Sequence, residues 1–227
     1  MAEKKISDYE KYIRTDELLA LQKTPDQMVH PDELLFQTLH QSMEIWLKET
    51  CFEIERVSGM VDRDELESAD HYLRRIAHIL EHLTGSLKIL ESMPPADYHV
   101  IRLNALGKGS GQESPGFQAL LERLPQIWPN VAALLERRKA TIDAIYKEPR
   151  KHWDLWMFLQ ALMQVDENFQ SWRYHHFHLV RRIIGDEVKS LKGVPAAALA
   201  PTAVEKVFPP LWKAVNDLTR AVSPQYG

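Results

Sequence analysis

Apolar residues recur along this chain at intervals of three and four, the spacing that places side chains on one face of an α-helix. The clearest example is a helix opened by Asp62, Asp64 or Ser68 and ended by Met93–Pro95, because proline cannot continue a helix. Its apolar face consists of Leu73, Ile76, Leu80, Leu83, Leu87 and Leu90. Apolar–polar alternation long enough for a strand does not occur. The pattern therefore predicts an all-α protein.

Turn-forming residues divide the rest of the chain into further helices. Ser7 or Asp8 caps the first, a glycine-rich stretch at 107–116 has the most flexible composition, and a Pro-rich loop precedes the last. These predicted helices cover Ser7–Leu21, Asp32–Gly59, Asp97–Leu106, Phe117–Leu124, Pro129–Tyr146, Lys151–Gly185 and a closing segment within 194–222.

Composition favours one domain with a sizeable core. The chain has 227 residues, of which 44% are hydrophobic and 26% charged. We therefore expect residues 1–227 to form one helical domain. The formal charge of -4 provides no basic face for a phosphate backbone, so we expect no nucleic acid partner.

The single cysteine and the N-terminal residues bear on the compartment. Cys51 cannot form an internal disulfide, and we expect it to be buried as a small apolar residue. The first residues, MAEKKISDYEKY, lack the apolar run of an export signal or a membrane span. We expect a cytoplasmic protein with no membrane partner.

Three histidines in the longest predicted helix are the first candidates for chemistry. His175 and His176 diverge by roughly 100° around the helix and cannot share a metal, whereas His175 and His178 could face the same way. The chain lacks the cysteine or HExxH spacing of a zinc site and the Glu-x-x-His pairs of a di-iron bundle. The better metal interpretation is a single imidazole that binds heme iron inside a bundle, and the alternative is ordinary surface or core histidines.

Three separated stretches carry most of the remaining information. They read LLFQTLHQSMEIWLKE (Leu34–Glu49), DYHVIR (Asp97–Arg102) and FQSWRYHHFHLVRRIIG (Phe169–Gly185). Together they resemble the tryptophan 2,3-dioxygenase family of histidine-ligated heme enzymes. The resemblance implies a helical bundle that encloses heme b. It also implies that His176 is the proximal iron ligand, because His176 is the fourth residue after the tryptophan of the family's WRxxH motif.

The other two stretches supply the substrate side of the resemblance. FQTLHQ is similar to the family's F-x-x-x-H-Q helix, which implies that Phe36 faces the substrate and that His40 is catalytic and hydrogen-bonds the indole N–H. LESMPPADYHVIR matches the family's LETxTPxxYxxFR, with Tyr98 and Arg102 four residues apart. Arginine suits a carboxylate because its rigid fork donates two parallel charge-assisted bonds. A later SPGFQALLER resembles SSGFQSxxxR and supports the register.

The N-terminal segment resembles a family segment that enters a neighbouring subunit. DYEKYIRTDELL is similar to Y-G-x-Y-L-x-L-D-x-L-L, which implies that Tyr9, Tyr12 and Ile13 reach a neighbour's substrate pocket. We therefore expect residues 1–30 to contact another subunit of a homo-oligomer, a dimer or a tetramer. Ordinary amphipathic-helix positions are the alternative for these residues.

Two departures from the family pattern affect the expected reaction. The family's GTGGS loop is replaced by DEVKSLKGVPAAALAP, in which Ser190 offers the hydroxyl for a substrate contact, and a family tryptophan is replaced by Leu87. The resemblance implies 2,3-dioxygenation of L-tryptophan or a substituted tryptophan with O2, giving an N-formylkynurenine-type product. The departures leave open a mono-oxygenase of a tryptophan derivative or another aromatic amino acid in secondary metabolism. A non-catalytic heme sensor or interaction bundle is a further alternative.

Overall fold

The computed structural model describes residues 6–223, apart from 108, 110, 186 and 188–195, together with residue 225. These residues contain ten α-helices and no β-strand, so the all-α prediction is confirmed. In chain order the helices are α1 Asp8–Ile13, α2 Thr15–Leu19, α3 Glu33–Asp62, α4 Leu66–Leu90, α5 Pro95–Asn104, α6 Pro115–Arg123, α7 Ile127–Arg137, α8 Ile142–Lys147, α9 Trp153–Ile184 and α10 Pro209–Val222.

Helix α4 is the centre of the bundle. It packs most extensively on α9 and next on α3, whereas α3 and α9 make few direct contacts with each other. The predicted apolar face of α4 explains this position, because all of its six predicted members are buried. Since α3 and α9 lie on either side of α4, a space remains between them at one end of the bundle.

The first predicted helix is interrupted. Ser7 caps α1 as expected, in a capping box with Glu10, but Arg14 then adopts a left-handed conformation at φ 54°. A left-handed residue cannot continue a right-handed helix, so Ser7–Leu21 contains α1 and α2 instead of one helix.

The boundaries of two other predicted helices also differ. The predicted Pro129–Tyr146 helix divides into α7 and α8, because Lys139 has φ 51° in the turn between them. The three predicted caps of α4 are wrong. Asp62 is the last residue of α3, Asp64 lies in the turn at φ 63°, and Ser68 lies inside α4, whose N-cap is Glu65.

Helix α9 continues without interruption for 32 residues. Asp166 on α9 is fully buried and accepts hydrogen bonds from the backbone N–H groups of Val207 and Phe208 and from the indole N–H of Trp212. These bonds satisfy N–H groups at the start of α10 and attach it to α9. The segment that begins α10 therefore braces the long helix.

Cys51 is buried, as its sequence setting predicted. None of the helices described is both long enough and apolar enough to cross a bilayer.

Candidate functional site

A cavity of about 480 Å³ lies between α3, the C-terminal end of α4, α5 and the C-terminal half of α9. Five of the predicted site residues line it, and they come from three separate helices: Phe36, His40, Tyr98, Arg102 and His176. Most of the remaining wall is apolar and includes Leu39, Met43, Leu87, Leu90, Leu179 and Ile183. This volume and lining are typical of a small-molecule or cofactor site.

His40 lies one turn after Phe36 on α3, and the two rings are in contact at a centroid distance of 4.1 Å. The Nδ1 atom of His40 lies 2.7 Å from the backbone carbonyl oxygen of Phe36. A carbonyl oxygen can only accept, so Nδ1 carries the hydrogen and donates it. Burial lowers the pKa of His40, although the bond to Phe36 and the charge of Glu44 oppose this shift. The neutral ring therefore presents Nε2 as a hydrogen-bond acceptor.

Helix α5 contributes Tyr98 and Arg102, again one turn apart. The Tyr98 ring lies 6.1 Å from that of Phe36, so aromatic surfaces from two helices border the same space. Burial raises the pKa of the Tyr98 hydroxyl, and Arg102 acts in the opposite direction. Arg102 is 8% exposed and carries the only guanidinium among the described lining residues. The cavity thus has one strongly cationic group within a mainly apolar lining.

His176 projects from α9 into the same cavity. Burial lowers the pKa of His176 to about 4, with a smaller contribution from the nearby His40. The ring is therefore neutral near pH 7 and retains a nitrogen lone pair. None of the described residues forms a hydrogen bond with it. A neutral imidazole in an apolar cavity is the donor chemistry that a heme iron requires.

The neighbouring histidines lie outside the cavity. The Nδ1 atom of His175 lies 2.8 Å from the carbonyl oxygen of Ser171, one turn earlier on α9. His178 is exposed and its ring contacts Tyr174. The helical angle between adjacent residues accounts for this separation, which leaves His176 as the member of the HHFH cluster that reaches the cavity.

Two aromatic residues of the cavity were not predicted. Trp172 lies one turn before His176, and their rings are 5.0 Å apart and nearly parallel. The Phe117 ring of α6 also stacks on Trp172, at a centroid distance of 3.8 Å. The spacing of four residues between Trp172 and His176 could have indicated the first contact. The second joins residues 117 and 172, and no local pattern predicts it.

The other predicted site residues are not in this cavity. Tyr9, Tyr12 and Ile13 lie on α1, where they are 71%, 87% and 39% exposed. They do not line the cavity of their own chain. Ser190 lies outside the described residues. Leu199, in a short 3₁₀ turn at Ala196–Leu199, lines the cavity instead.

Within the described part of the chain, one group of three side chains has ligand atoms close enough for a metal ion: His30, Asp32 and Asp97. The Nδ1 atom of His30 accepts the backbone N–H of Asp32 at 3.2 Å, so a neutral ring carries its proton on Nε2. That nitrogen lies 3.6 Å from the Asp97 carboxylate. This contact links the N-terminal segment to α5.

Comparison with known proteins gives consistent matches. The family model described as tryptophan 2,3-dioxygenase matches residues 1–126, a range that includes Phe36, His40, Tyr98 and Arg102. The chain is 30% identical to the tryptophan 2,3-dioxygenase of Caulobacter vibrioides, over 90% of this chain and 95% of that protein. It is 28% identical to the enzyme of that name from Bradyrhizobium sp. strain BTAi1, over 90% of each chain. The Myxococcus xanthus enzyme of that name is 28% identical, over 93% of this chain and 89% of its own.

Proposed function

Because the chain belongs to the tryptophan 2,3-dioxygenase family, whose cofactor is heme, we propose that it oxidises the indole ring of L-tryptophan or a substituted tryptophan with O2. The product is of the N-formylkynurenine type, with both oxygen atoms inserted at the indole C2–C3 bond. One observation carries the proposal: an imidazole acceptor, a buried guanidinium and a second, neutral imidazole border the same apolar cavity.

His176 is the proposed ligand of a heme b. Its neutral ring, the wide apolar walls and the cavity volume of about 480 Å³ fit a flat macrocycle bound through one nitrogen. When bound, the heme iron supplies the activation of O2. The protein contributes orientation, and its walls of leucine, isoleucine and methionine keep water away from the reacting atoms.

The opposite side of the cavity suits an indole amino acid. Arg102 binds the α-carboxylate through two parallel bonds, a geometry that its planar guanidinium favours. Nε2 of His40 accepts the indole N–H, because Nδ1 is already committed to the Phe36 carbonyl. The rings of Phe36 and Tyr98 pack on the indole. Together these contacts fix which edge of the indole is presented to O2.

A homo-oligomer would explain the exposed aromatic residues of α1. This helix has no buried residue in the single chain, so the hydrophobic side chains of Tyr9, Tyr12 and Ile13 are exposed to solvent. We propose that these residues enter a neighbouring subunit's substrate pocket. For the double variant Tyr9→Ser/Tyr12→Ser, we expect light scattering to give a smaller assembly than for the wild type, or a substrate titration to give weaker binding. A variant identical to the wild type in both respects would contradict this assignment.

Transfer of a single oxygen atom is the second candidate reaction. It is favoured by the cavity positions of Leu87, which replaces a family tryptophan, and Leu199, which follows the altered loop. Both residues reshape the apolar wall beside the substrate.

The test is mass spectrometry of the products when reduced, heme-loaded protein meets L-tryptophan and ring-methylated analogues under ¹⁸O₂. Two labelled atoms in an opened ring are expected. One labelled atom in an intact ring would establish the mono-oxygenase. A lack of product from every analogue, with heme bound, would favour the sensor or interaction bundle.

A further inference from the structure

Trp172 stacks with the rings of both His176 and Phe117, and the Phe169 ring lies 6.4 Å from it at an angle of 16°. The His176 and Trp172 rings lie 5.0 Å apart with an interplanar angle of 8°. Trp172 and Phe117 lie 3.8 Å apart with an angle of 23°. His176, Trp172 and Phe117 line the cavity, and they come from α9 and α6, which are distant in sequence. The imidazole is thus one of three stacked rings, of which the other two are larger aromatic rings.

Packing holds the middle ring of this stack. Trp172 is 7% exposed, and its buried indole N–H has no hydrogen-bond partner within the described part of the chain. A buried N–H without a partner is unfavourable, so the ring contacts at this position must offset that cost. The orientation of Trp172 therefore depends on Phe117 and on the neighbouring side chains.

The position of Phe117 is set by the first turn of α6. The Ser114 hydroxyl oxygen caps the helix by accepting the backbone N–H of Phe117 at 3.2 Å. The Ser114 hydroxyl also donates to the Glu44 carboxylate. The other carboxylate oxygen of Glu44 accepts the backbone N–H of Gly116 at 2.9 Å. Glu44 thus binds the start of α6 to α3, one turn beyond His40.

Gly116 allows this close approach. A Cβ atom at this position would lie 2.6 Å from the Glu44 carboxylate and 2.8 Å from Cβ of Leu47, closer than side-chain atoms can pack. The glycine therefore lets the first turn of α6 sit directly on α3. As a result, the placement of Phe117 is fixed by contacts with the helix on the opposite side of the cavity.

We propose that Trp172 is a positioning residue for His176, held by Phe117 and by the contacts of Glu44 with Ser114 and Gly116. The stack sets the plane of the imidazole, which none of the described residues fixes by a hydrogen bond. This inference rests on the proposed role of His176 as the iron ligand. Ligand orientation is ordinarily set by a hydrogen bond to the other ring nitrogen, and stacking performs that task here.

The experiment measures the iron–histidine stretching band by resonance Raman spectroscopy of the reduced, heme-loaded protein. Trp172→Leu and Phe117→Leu remove the stacked surfaces but leave the ligand in place. We expect the band to broaden and move to lower frequency in both, because an imidazole that can tilt binds the iron less well. Trp172→Phe retains a stacked ring and should lie closer to the wild type.

Heme release provides a second measurement. Transfer of heme to excess apomyoglobin should be about tenfold faster for Trp172→Leu, the lower end of what outer partners of metal ligands contribute. Ser114→Ala, which leaves all three rings intact, should change both the band and the release rate in the same direction by a smaller amount. This variant keeps the inference testable if a ring deletion fails to fold.

Phe158→Leu is the matched control. Phe158 is fully buried on the same helix as His176 but does not line the cavity, so this variant makes the same Phe→Leu change as Phe117→Leu at a site away from the stacked rings. Its band and release rate should match the wild type. An unchanged band in Trp172→Leu and Phe117→Leu, or an equal change in Phe158→Leu, would overturn the positioning role. A wild-type protein that shows no iron–histidine band would instead overturn the proposed function, and the inference with it.

Discussion

The two sides of the cavity each present a histidine one turn after an aromatic residue, yet they hold that histidine differently. On α3, His40 follows Phe36 and is fixed by a hydrogen bond of its Nδ1 to the backbone at 2.7 Å. On α9, His176 follows Trp172 and is held by a parallel ring stack. We call the first side, with α5, the α3–α5 wall, and the second the α9 wall.

This difference separates two chemical tasks. The backbone bond decides which nitrogen of His40 carries a hydrogen, so that side chain can recognise an N–H donor. Stacking can set the plane of a ring, and none of the described residues forms a hydrogen bond with either nitrogen of His176, which suits a ligand of a metal. In the proposed function, the same residue spacing therefore serves substrate recognition on one wall and cofactor binding on the other.

The largest effect is expected from Arg102→Ala, which tests whether the α3–α5 wall recognises substrate and leaves the cofactor alone. Losing one partner of a buried charge-assisted pair costs roughly 2–5 kcal/mol, so kcat/KM for L-tryptophan should fall about a hundredfold. Tryptamine, which lacks the carboxylate, should be oxidised equally by the variant and the wild type. Reduced heme content in the variant would show that Arg102 also affects cofactor binding, contrary to the separate roles proposed for the two walls.

The bracing of the α9 wall is tested by Asp166→Ala. The variant leaves the N–H donors of Val207, Phe208 and Trp212 without their acceptor, and we expect the free energy of unfolding to fall by about 3 kcal/mol in urea. Asp154→Ala, which removes a half-exposed partner of Arg138, should cost less than about 1 kcal/mol. Equal losses for the two variants would show that Asp166 has no special role.

His40→Ala tests whether His40, unlike His176, acts in substrate recognition. Removing the acceptor for the indole N–H should lower kcat/KM for L-tryptophan about tenfold, in line with one hydrogen bond. With 1-methyl-tryptophan, which has no N–H to donate, the variant and the wild type should differ much less. A similar loss with both substrates would mean that His40 acts in some way other than by accepting this bond.

The smallest effect concerns pH. Burial holds the pKa of His40 below its ordinary value of 6.5, so the neutral acceptor persists at neutral pH and is lost only by protonation in acid. We expect kcat/KM to stay constant from pH 8 down to about 6.5 and to decline severalfold only at lower pH. The acid decline should be reduced in His40→Ala. A decline that begins above pH 6.5 would contradict a lowered pKa.

Much of the bundle could be predicted because helix formation depends on local periodicity. The face of α4 and the length of α9 follow directly from the spacing of apolar residues. The breaks at Arg14 and Lys139 could not be predicted in this way, since both are non-glycine residues in a left-handed conformation. The left-handed conformation is uncommon for such residues, and no local sequence signal marks these two positions.

The candidate site likewise contains residues that local spacing predicts and residues that only the packing of the helices brings together. Pairs four residues apart, such as Phe36 with His40 and Tyr98 with Arg102, follow from helical geometry and line the cavity as expected. The contact of Phe117 with Trp172 depends on how α6 packs against α9, so it became visible only in the fold. The substrate contact predicted at Ser190 lies outside the described residues and stays a prediction.

The central claim is that His176 binds the iron and His40 does not. Its most direct test is a heme titration of the apo-proteins of the wild type, His40→Ala and His176→Ala, followed at the Soret band. We expect His40→Ala to bind one heme per chain with the wild-type band. His176→Ala should lose that band and recover it when imidazole is added. Stoichiometric heme with an unchanged Soret band in His176→Ala would contradict the account.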